Sequence, residues 1–288
     1  MKVLSLIEPL IINLEEVSRI LVSLQREKNF SIDYKGNHHP ITSADILVND
    51  FLKEKLGSLF PEAYYLSEES KSEEKRFAYD YLWIVDPIDG TREFMNHTSE
   101  YAVSVGLVYR NEAILGAVAL PAEGWIFLGV QGKLLDSEPF LIKYNYFEKM
   151  QETIKSFNYF NKELDQAKIL VSKTEFKKHG FSQFSSSWNI FPTGSVARKL
   201  AKVAIQEGDL LISLVPKNEW DICGGVALLK AVGQVALSKV HLLEKEFSEV
   251  LFNKPNLVSY GLVAGNRYLV EKYLEFHETH QVLIFDSY

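Results

Sequence analysis

The sequence predicts a mixed α/β protein, with an α+β lobe over residues 1–150 and an α/β lobe over residues 151–288. Three observations predict it. Two segments with helical apolar spacing come first. A series of apolar, β-rich runs then follows at hairpin spacing between residues 81 and 130. Beyond about residue 150, short strands alternate with helices, the order of a layered α/β unit.

Residues 3–27 carry good helix formers at helical spacing, and residues 42–58 form a second such segment, opened by Thr42 or Ser43 and closed near Gly57. YYLS (64–67) reads as a strand. The runs YLWIVD (81–86), YAVSVGLVY (101–109), AILGAVAL (113–120) and GWIFLGV (124–130) read as strands, the last three antiparallel. Pro87 has no N–H to give a ladder, so the first of them is expected to stop at Asp86. The polar segment 140–166 is expected to be a connector. AKILVS (167–172), NIFP (189–192), DLLISL (209–214) and YGLVAG (260–265) are strands, interleaved with helices over 195–206, 219–233 and the C-terminus.

The chain is long enough for a real core, and its 47% apolar and 24% charged residues are ordinary for a globular protein. A net charge of -7 argues against a nucleic-acid polymer as partner. Small phosphorylated ligands stay open, because a metal ion brings positive charge locally. The single cysteine, Cys223, allows no intrachain disulfide, which fits a cytoplasmic location. No apolar run reaches the roughly 18–20 residues of a membrane span. Glu8, Glu15 and Glu16 interrupt the N-terminal apolar pattern, which therefore reads as a helix of the folded protein rather than a leader.

The most informative stretch is WIVDPIDGTREF, residues 83–94. Asp86 ends an apolar run, and Asp89 follows across a turn, close enough for both carboxylates to face one ion. Gly90 lets backbone approach a ligand, Thr91 adds a hydroxyl, and the amides of both lie near a helix start that suits a phosphate. Oxygen-only ligands select hard cations such as Mg²⁺. The bland alternative is an Asx turn with solvated carboxylates.

Other residues are ambiguous one by one. Glu68 opens the mixed-charge run SEESKSEEKR, a pattern typical of solvated faces. Thr42-x-x-Asp45 is a capping-box pattern, Asp221 a first-turn helix carboxylate, Gly194-Ser195 a turn and N-cap, and Lys35 a loop lysine. Cys223 reads as core rather than nucleophile, having no activating partner. His38 and His39 are adjacent and so do not make a zinc helix motif. Neither a P-loop nor a G-x-S-x-G nucleophile motif is present.

Taken in order, ITSAD, LSEES, WIVDPIDGTREF, FPTGSVARKLA and NEWDICGG resemble the inositol monophosphatase family of Mg²⁺-dependent phosphomonoesterases, from about Lys35 to Gly233. The resemblance implies a layered αβαβα fold and two or three Mg²⁺ ions. It assigns metal ligation to Glu68, Asp86, Asp89 and Asp221, completed by the Ile88 carbonyl and Thr91. It pairs Asp45 with Thr91 and adds Glu68 as the groups that activate a water, which attacks phosphorus without a phospho-enzyme. It gives the phosphate to Gly90, Thr91, Gly194 and Ser195, and places Lys35, Lys199, Asp89 and Asp221 beside the substrate. Sensitivity to Li⁺ and a homodimer are further implications.

Elementary electrostatics supports the metal assignment. Two like charges about 4 Å apart repel by roughly 4 kcal/mol at an effective dielectric near 20, so converging carboxylates need cations or protons. That they converge is the resemblance's claim; sequence spacing does not show it. For the substrate, Arg92-Glu93-Phe94 after DGT looks like the 3'(2'),5'-bisphosphate nucleotidase branch, as do SVARKLA and PKNEWD. Leu214 stands where inositol phosphatases carry a glutamate for sugar hydroxyls. The family's usual Glu-Ala-Gly-Gly becomes Lys230-Ala231-Val232-Gly233-Gln234 here, a departure near the end of the Asp221 helix. Adenosine 3',5'-bisphosphate is the expected substrate, an inositol or other polyol phosphate the alternative, and a non-catalytic nucleotide or metal binder the third reading.

Overall fold

The structure is a computed structural model that describes residues 3–35, 39–70, 73–132, 137–157, 161–178, 181, 187–244, 246–280, 282 and 284–285. A short 3-10 helix, Leu4–Leu6, leads into α1 (Ile7–Glu27), whose buried residues Leu10, Leu14, Val17 and Leu21 recur at helical spacing. β1 (Ile32–Lys35) and β2 (His39–Thr42) form an antiparallel hairpin that delivers the chain to α2 (Ser43–Leu59). Thr42 caps that helix. The helix ends at Leu59, two residues past the closure near Gly57 that the sequence predicts.

The first sheet comprises β3 (Ala63–Ser67), β4 (Tyr81–Asp89), β5 (Ala102–Tyr109), β6 (Glu112–Leu120), β7 (Trp125–Val130), β8 (Phe140–Asn145) and β9 (Met150–Ile154), in that spatial order. β3 and β4 are parallel and all other neighbours antiparallel. Two expectations fail here. β4 does not stop at Asp86: it continues to Asp89, across a register shift against β5 that takes up Pro87. A bulge tolerates a residue with no N–H. The segment expected as a connector instead carries β8 and β9. β9 lies at the sheet edge and is mostly exposed, so its sequence has the polarity of a linker.

Alternate residues of β4 enter different cores. Trp83 and Val85 pack with α1 and α2, whereas Leu82 and Ile84 face the other way. Burial on both faces explains the unbroken apolar run.

A five-residue helix, α3 (Thr91–Met95), follows β4. The second half consists of β10 (Lys168–Ser172), α4 (Lys173–Lys178), β11 (Asn189–Thr193), α5 (Val196–Ala204), β12 (Leu210–Ile212), β13 (Lys217–Asn218), α6 (Glu219–Ala231), β14 (Val235–Lys239), β15 (Ser248–Glu249), β16 (Val258–Gly265) and α7 (Arg267–His280). Its sheet runs β11-β10-β12-β16-β14-β15, with β13 on β16. α5 and α6 share one core with both sheets, while α7 packs on the outer face of the second. The layers are therefore helix, sheet, helix, sheet, helix.

α6 lies unusually close to the first sheet. Gly106 pairs with Gly116, and Gly116 with Gly129, so three glycines form a row across β5, β6 and β7. A Cβ at Gly116 would stand 2.6 Å from the Ala227 Cβ, and one at Gly129 2.8 Å from the Leu228 Cα. The row is a trough for the helix that carries Asp221.

Candidate active site

β4 brings the first two carboxylates. The Ile88 N–H donates to Asp86 Oδ1 at 3.0 Å, so the local Asx geometry of the bland reading is real. Yet Asp86 is only 1% exposed, which removes the solvation that reading requires. Burial, then repulsion from Glu68, Asp89, Asp221 and Asp45, holds its pKa well above the usual carboxylate range. Asp89, beyond the bulge, reaches the N-terminus of α5. Its Oδ2 accepts the Ser195 hydroxyl at 2.5 Å and the Ala197 N–H at 2.6 Å. Its pKa is also raised by burial, against the lowering by those two hydrogen bonds and by Lys199 and Lys217.

Asp45 serves two partners. Its Oδ2 accepts the Thr42 N–H at 2.7 Å and the Thr42 hydroxyl at 2.6 Å, completing the capping box of α2. Its Oδ1 lies 3.2 Å from Thr91 Oγ1, which is also 3.2 Å from the Ile88 carbonyl. Thr91 has one proton for two acceptors, and a carboxylate is the stronger one. With its O–H directed at Asp45, the lone pairs of Thr91 are left as acceptors.

Glu68 follows β3, and its N–H bonds the Val85 carbonyl of β4 at 3.2 Å. Its pKa is pushed up to about 8 by burial and then by the negative charge of Asp221. Lys35, at the end of β1, stands 4.0 Å from Glu68 and forms a closer pair with Glu69. The loop lysine of the sequence is thus a member of the cluster. Asp221 is in the first turn of α6, where its Oδ2 accepts the Asn218 N–H at 2.9 Å. Burial and the charge of Asp89 push it to about 7, against Lys217.

Charges from chain segments distant in sequence thus meet at one place: Glu68, Asp89, Asp221 and Asp45 all raise Asp86, Asp221 and Asp45 raise Glu68, and Asp89 raises Asp221. No three His, Cys, Asp or Glu side chains among the described residues close into a ready-made cage. The donor set still fits a hard divalent cation. It is all oxygen, carries surplus negative charge, and has the Ile88 carbonyl and Thr91 hydroxyl beside it, while such ions complete their shells with water.

The other predicted residues lie around this cluster. Gly90 takes a left-handed conformation (φ 96°) that few side chains tolerate, and it precedes α3. Gly194 has no room for a Cβ, which would stand 2.6 Å from the Glu93 Cγ, and its N–H donates to Glu100 at 3.2 Å. Ser195 caps α5 by accepting the Arg198 N–H at 3.0 Å. Lys199 is 3% exposed and donates to the Thr193 and Gly194 carbonyls at 3.1 and 3.3 Å. It braces the 193–195 turn, and burial lowers its pKa to about 8. Leu214 is a core side chain, 3% exposed. Cys223 is buried on α6 with its thiol pKa raised, as expected of a core cysteine. His38 and the side chain of His39 lie outside the described residues.

Sequence reasoning missed several charged residues that the fold buries here. Glu175 on α4 is 0% exposed and accepts from the Ser213 hydroxyl, the Leu214 N–H and Lys217 Nζ at 2.8, 2.6 and 3.3 Å. Glu100, joined to Lys173, also accepts the Thr193 hydroxyl at 3.1 Å. Arg76, inside the mixed-charge run, is 2% exposed. No residue pattern marks a charge as buried, so only the proximity of Lys217 to the Trp-Asp motif could have drawn attention.

An acidic, oxygen-lined site with a hydroxyl held by a carboxylate has the chemistry of a cation-assisted hydrolase of phosphate monoesters. A profile of the inositol monophosphatase family matches residues 8–275, and the chain belongs to that family. It is a phosphatase, and the family's enzymes are metal-dependent. Among its relatives, the 3'(2'),5'-bisphosphate nucleotidase CysQ of Haemophilus influenzae is 28% identical over 82% of this chain and 85% of its own. Inositol monophosphatase 3 of Solanum lycopersicum is 27% identical over 72% of this chain and 76% of its own. The inositol monophosphatase structure from Thermotoga maritima superposes with a TM-score of 0.75 at 21% identity, covering 96% of this chain and 99% of the other. Among the described residues, no helix is long and apolar enough to cross a membrane.

Proposed function

We propose that the protein is a Mg²⁺-dependent phosphatase that removes the 3'-phosphate of adenosine 3',5'-bisphosphate. The carrying observation is the gathering of Glu68, Asp86, Asp89 and Asp221, each with a raised pKa, beside the Thr91–Asp45 pair. Glu68, Asp86, Asp89, Asp221, the Ile88 carbonyl and Thr91 would hold the cations. When bound, Mg²⁺ neutralises the carboxylates and the ester phosphate and acidifies water.

The chain's own residues do the rest. Asp45 accepts a hydrogen bond from the Thr91 hydroxyl and so leaves the lone pairs of Thr91 facing a water, which loses a proton as it attacks. Glu68, the carboxylate after β3, is the group assigned to accept that proton once the cations have neutralised its neighbours. The amides at the start of α3, Gly90 and Thr91, with Ser195 before α5, would orient the phosphate, while Gly194, whose N–H is held by Glu100, lets the backbone approach it closely. Lys35 supplies positive charge at the rim.

Similarity to CysQ over most of both chains supports the nucleotide. Leu214 supports it too, since a buried apolar side chain offers a polyol no hydrogen bond. The test is a panel of adenosine 3',5'-bisphosphate, inositol 1-phosphate, fructose 1,6-bisphosphate and histidinol phosphate, assayed for phosphate release with and without Mg²⁺. The bisphosphate should give the highest kcat/KM. A higher value for inositol 1-phosphate would replace the substrate, and release without divalent ion would remove the mechanism.

A further inference from the structure

The chain between Glu68 and β4 reads as solvated charge, yet Arg76 within it is buried. Its Nη2 donates to the Lys254 carbonyl at 2.7 Å and reaches that of Pro255 at 3.5 Å. The Phe77 ring centroid lies 3.9 Å from the guanidinium carbon. A segment of the first half is thereby gripped by a turn 178 residues further along the chain.

The same turn is held from its other side by α6. Glu219, 0% exposed, accepts the N–H groups of Asn253 and Lys254 at 2.5 and 2.9 Å. The Glu219 N–H donates to the Leu257 carbonyl at 2.9 Å. Lys254 Nζ stands 3.9 Å from Glu219 and donates to Ser259 Oγ at 2.7 Å. Glu219 is the first residue of α6, two positions before Asp221. Arg76 follows Glu68 by eight positions. The 253–257 turn is thus a common abutment: Arg76 fastens the Glu68 segment to it, and Glu219 fastens the Asp221 turn.

We infer that Arg76 is a positioning residue of the cation site, which through the 253–257 turn fixes the separation of Glu68 and Asp221. This rests on the reading of those two carboxylates as cation ligands. A planar guanidinium can donate to two carbonyls at once, whereas an ammonium on a flexible stem holds them less rigidly. Ligands that lose such support must be ordered when the ion binds; removing a group hydrogen-bonded directly to a ligand weakens metal binding by about 10–100-fold, and Arg76, acting at one remove, belongs at the lower end.

The test uses the full chain stripped of metal. Wild type, Arg76→Lys, Arg76→Met and a control, Arg110→Met, at an exposed arginine whose ion pair is with exposed Asp80, are titrated with Mn²⁺ by calorimetry and with Tb³⁺ by luminescence. The work is done well below each melting temperature. Arg76→Met should bind at least about tenfold more weakly, with Arg76→Lys intermediate and Arg110→Met equal to wild type. Raising Mg²⁺ should restore much of the hydrolysis lost in Arg76→Lys. If Arg76→Met fails to fold, Arg76→Lys decides. A lower melting temperature with unchanged cation affinity in Arg76→Lys would make Arg76 a mere staple and overturn the inference alone. Wild-type protein that takes up no cation would overturn the site reading, and the inference with it.

Discussion

At the scale of single residues, the site is economical because one carboxylate fills two roles. Asp45 caps α2 with one oxygen and orients Thr91 with the other. The capping-box pattern was legible in the sequence, and it was an accurate account of half the side chain. Asp45→Asn should separate the halves. The amide oxygen can still accept from Thr42, but the amide nitrogen would donate to Thr91 and reverse its proton. The expected loss is about 10²–10⁴-fold in kcat, the usual worth of a proton-handling group, with the melting temperature within a few degrees of wild type. A kcat within threefold of wild type would dismiss the pair from the reaction. Asp89→Asn should nearly abolish turnover. It should also raise the melting temperature of the metal-free protein, because a like charge is removed from the cluster. Unchanged turnover would sink its assignment as a cation ligand.

At the scale of elements, the strands of the first sheet were legible where both faces are buried, since β4 to β7 are continuous apolar runs. What failed to show was conditional on neighbours. The bulge at Pro87 needs β5 to reveal it, and the edge strand β9 needs β8. That Glu68, Asp86, Asp89 and Asp221 cluster was legible only through motif order. Arg76, Glu175 and Lys217 were not, because a buried charge and a surface charge are the same letter until the chain folds. The glycine row illustrates the same point. Each glycine alone weakens a strand, while three in register make a bed for α6. Gly116→Ala should therefore cost about 1–3 kcal/mol, as overpacking usually does. α6 must lift to admit the methyl, so Asp221 should move and kcat should fall as well. Calorimetric melting and steady-state assays check both; an unchanged melting temperature would mean that the helix has slack the geometry denies.

At the scale of the whole molecule, the fold stores a charge surplus where its layers meet, and that surplus should be readable as stability against pH. Glu68 is pushed from 4.5 to about 8 by burial and the charge of Asp221, and Asp221 from 3.8 to about 7 by burial and the charge of Asp89. Without cations, the folded protein retains protons that the unfolded chain has shed. Stability from these groups is complete below about pH 4 and is lost as pH rises through about 7 and then 8. His277 on α7 has the opposite sign. Burial lowers its pKa below 6.5, so its contribution is present above that value and lost as pH falls. Comparing melting with and without Mg²⁺ cancels His277, whose neighbours include no carboxylate of the cluster, and leaves those carboxylates together with Lys199, whose pKa of about 8 is set beside Asp89. The ion takes the place of the retained protons. The Mg²⁺-induced rise in melting temperature should therefore be small at pH 5, grow through pH 8 and then level off. At a hundredfold excess over Kd the stabilisation is about 2.7 kcal/mol, several degrees for a chain of this size. Asp221→Asn should flatten the curve from its lower-pH side. A Mg²⁺ effect independent of pH from 5 to 8.5 would show that the ion binds somewhere other than these carboxylates.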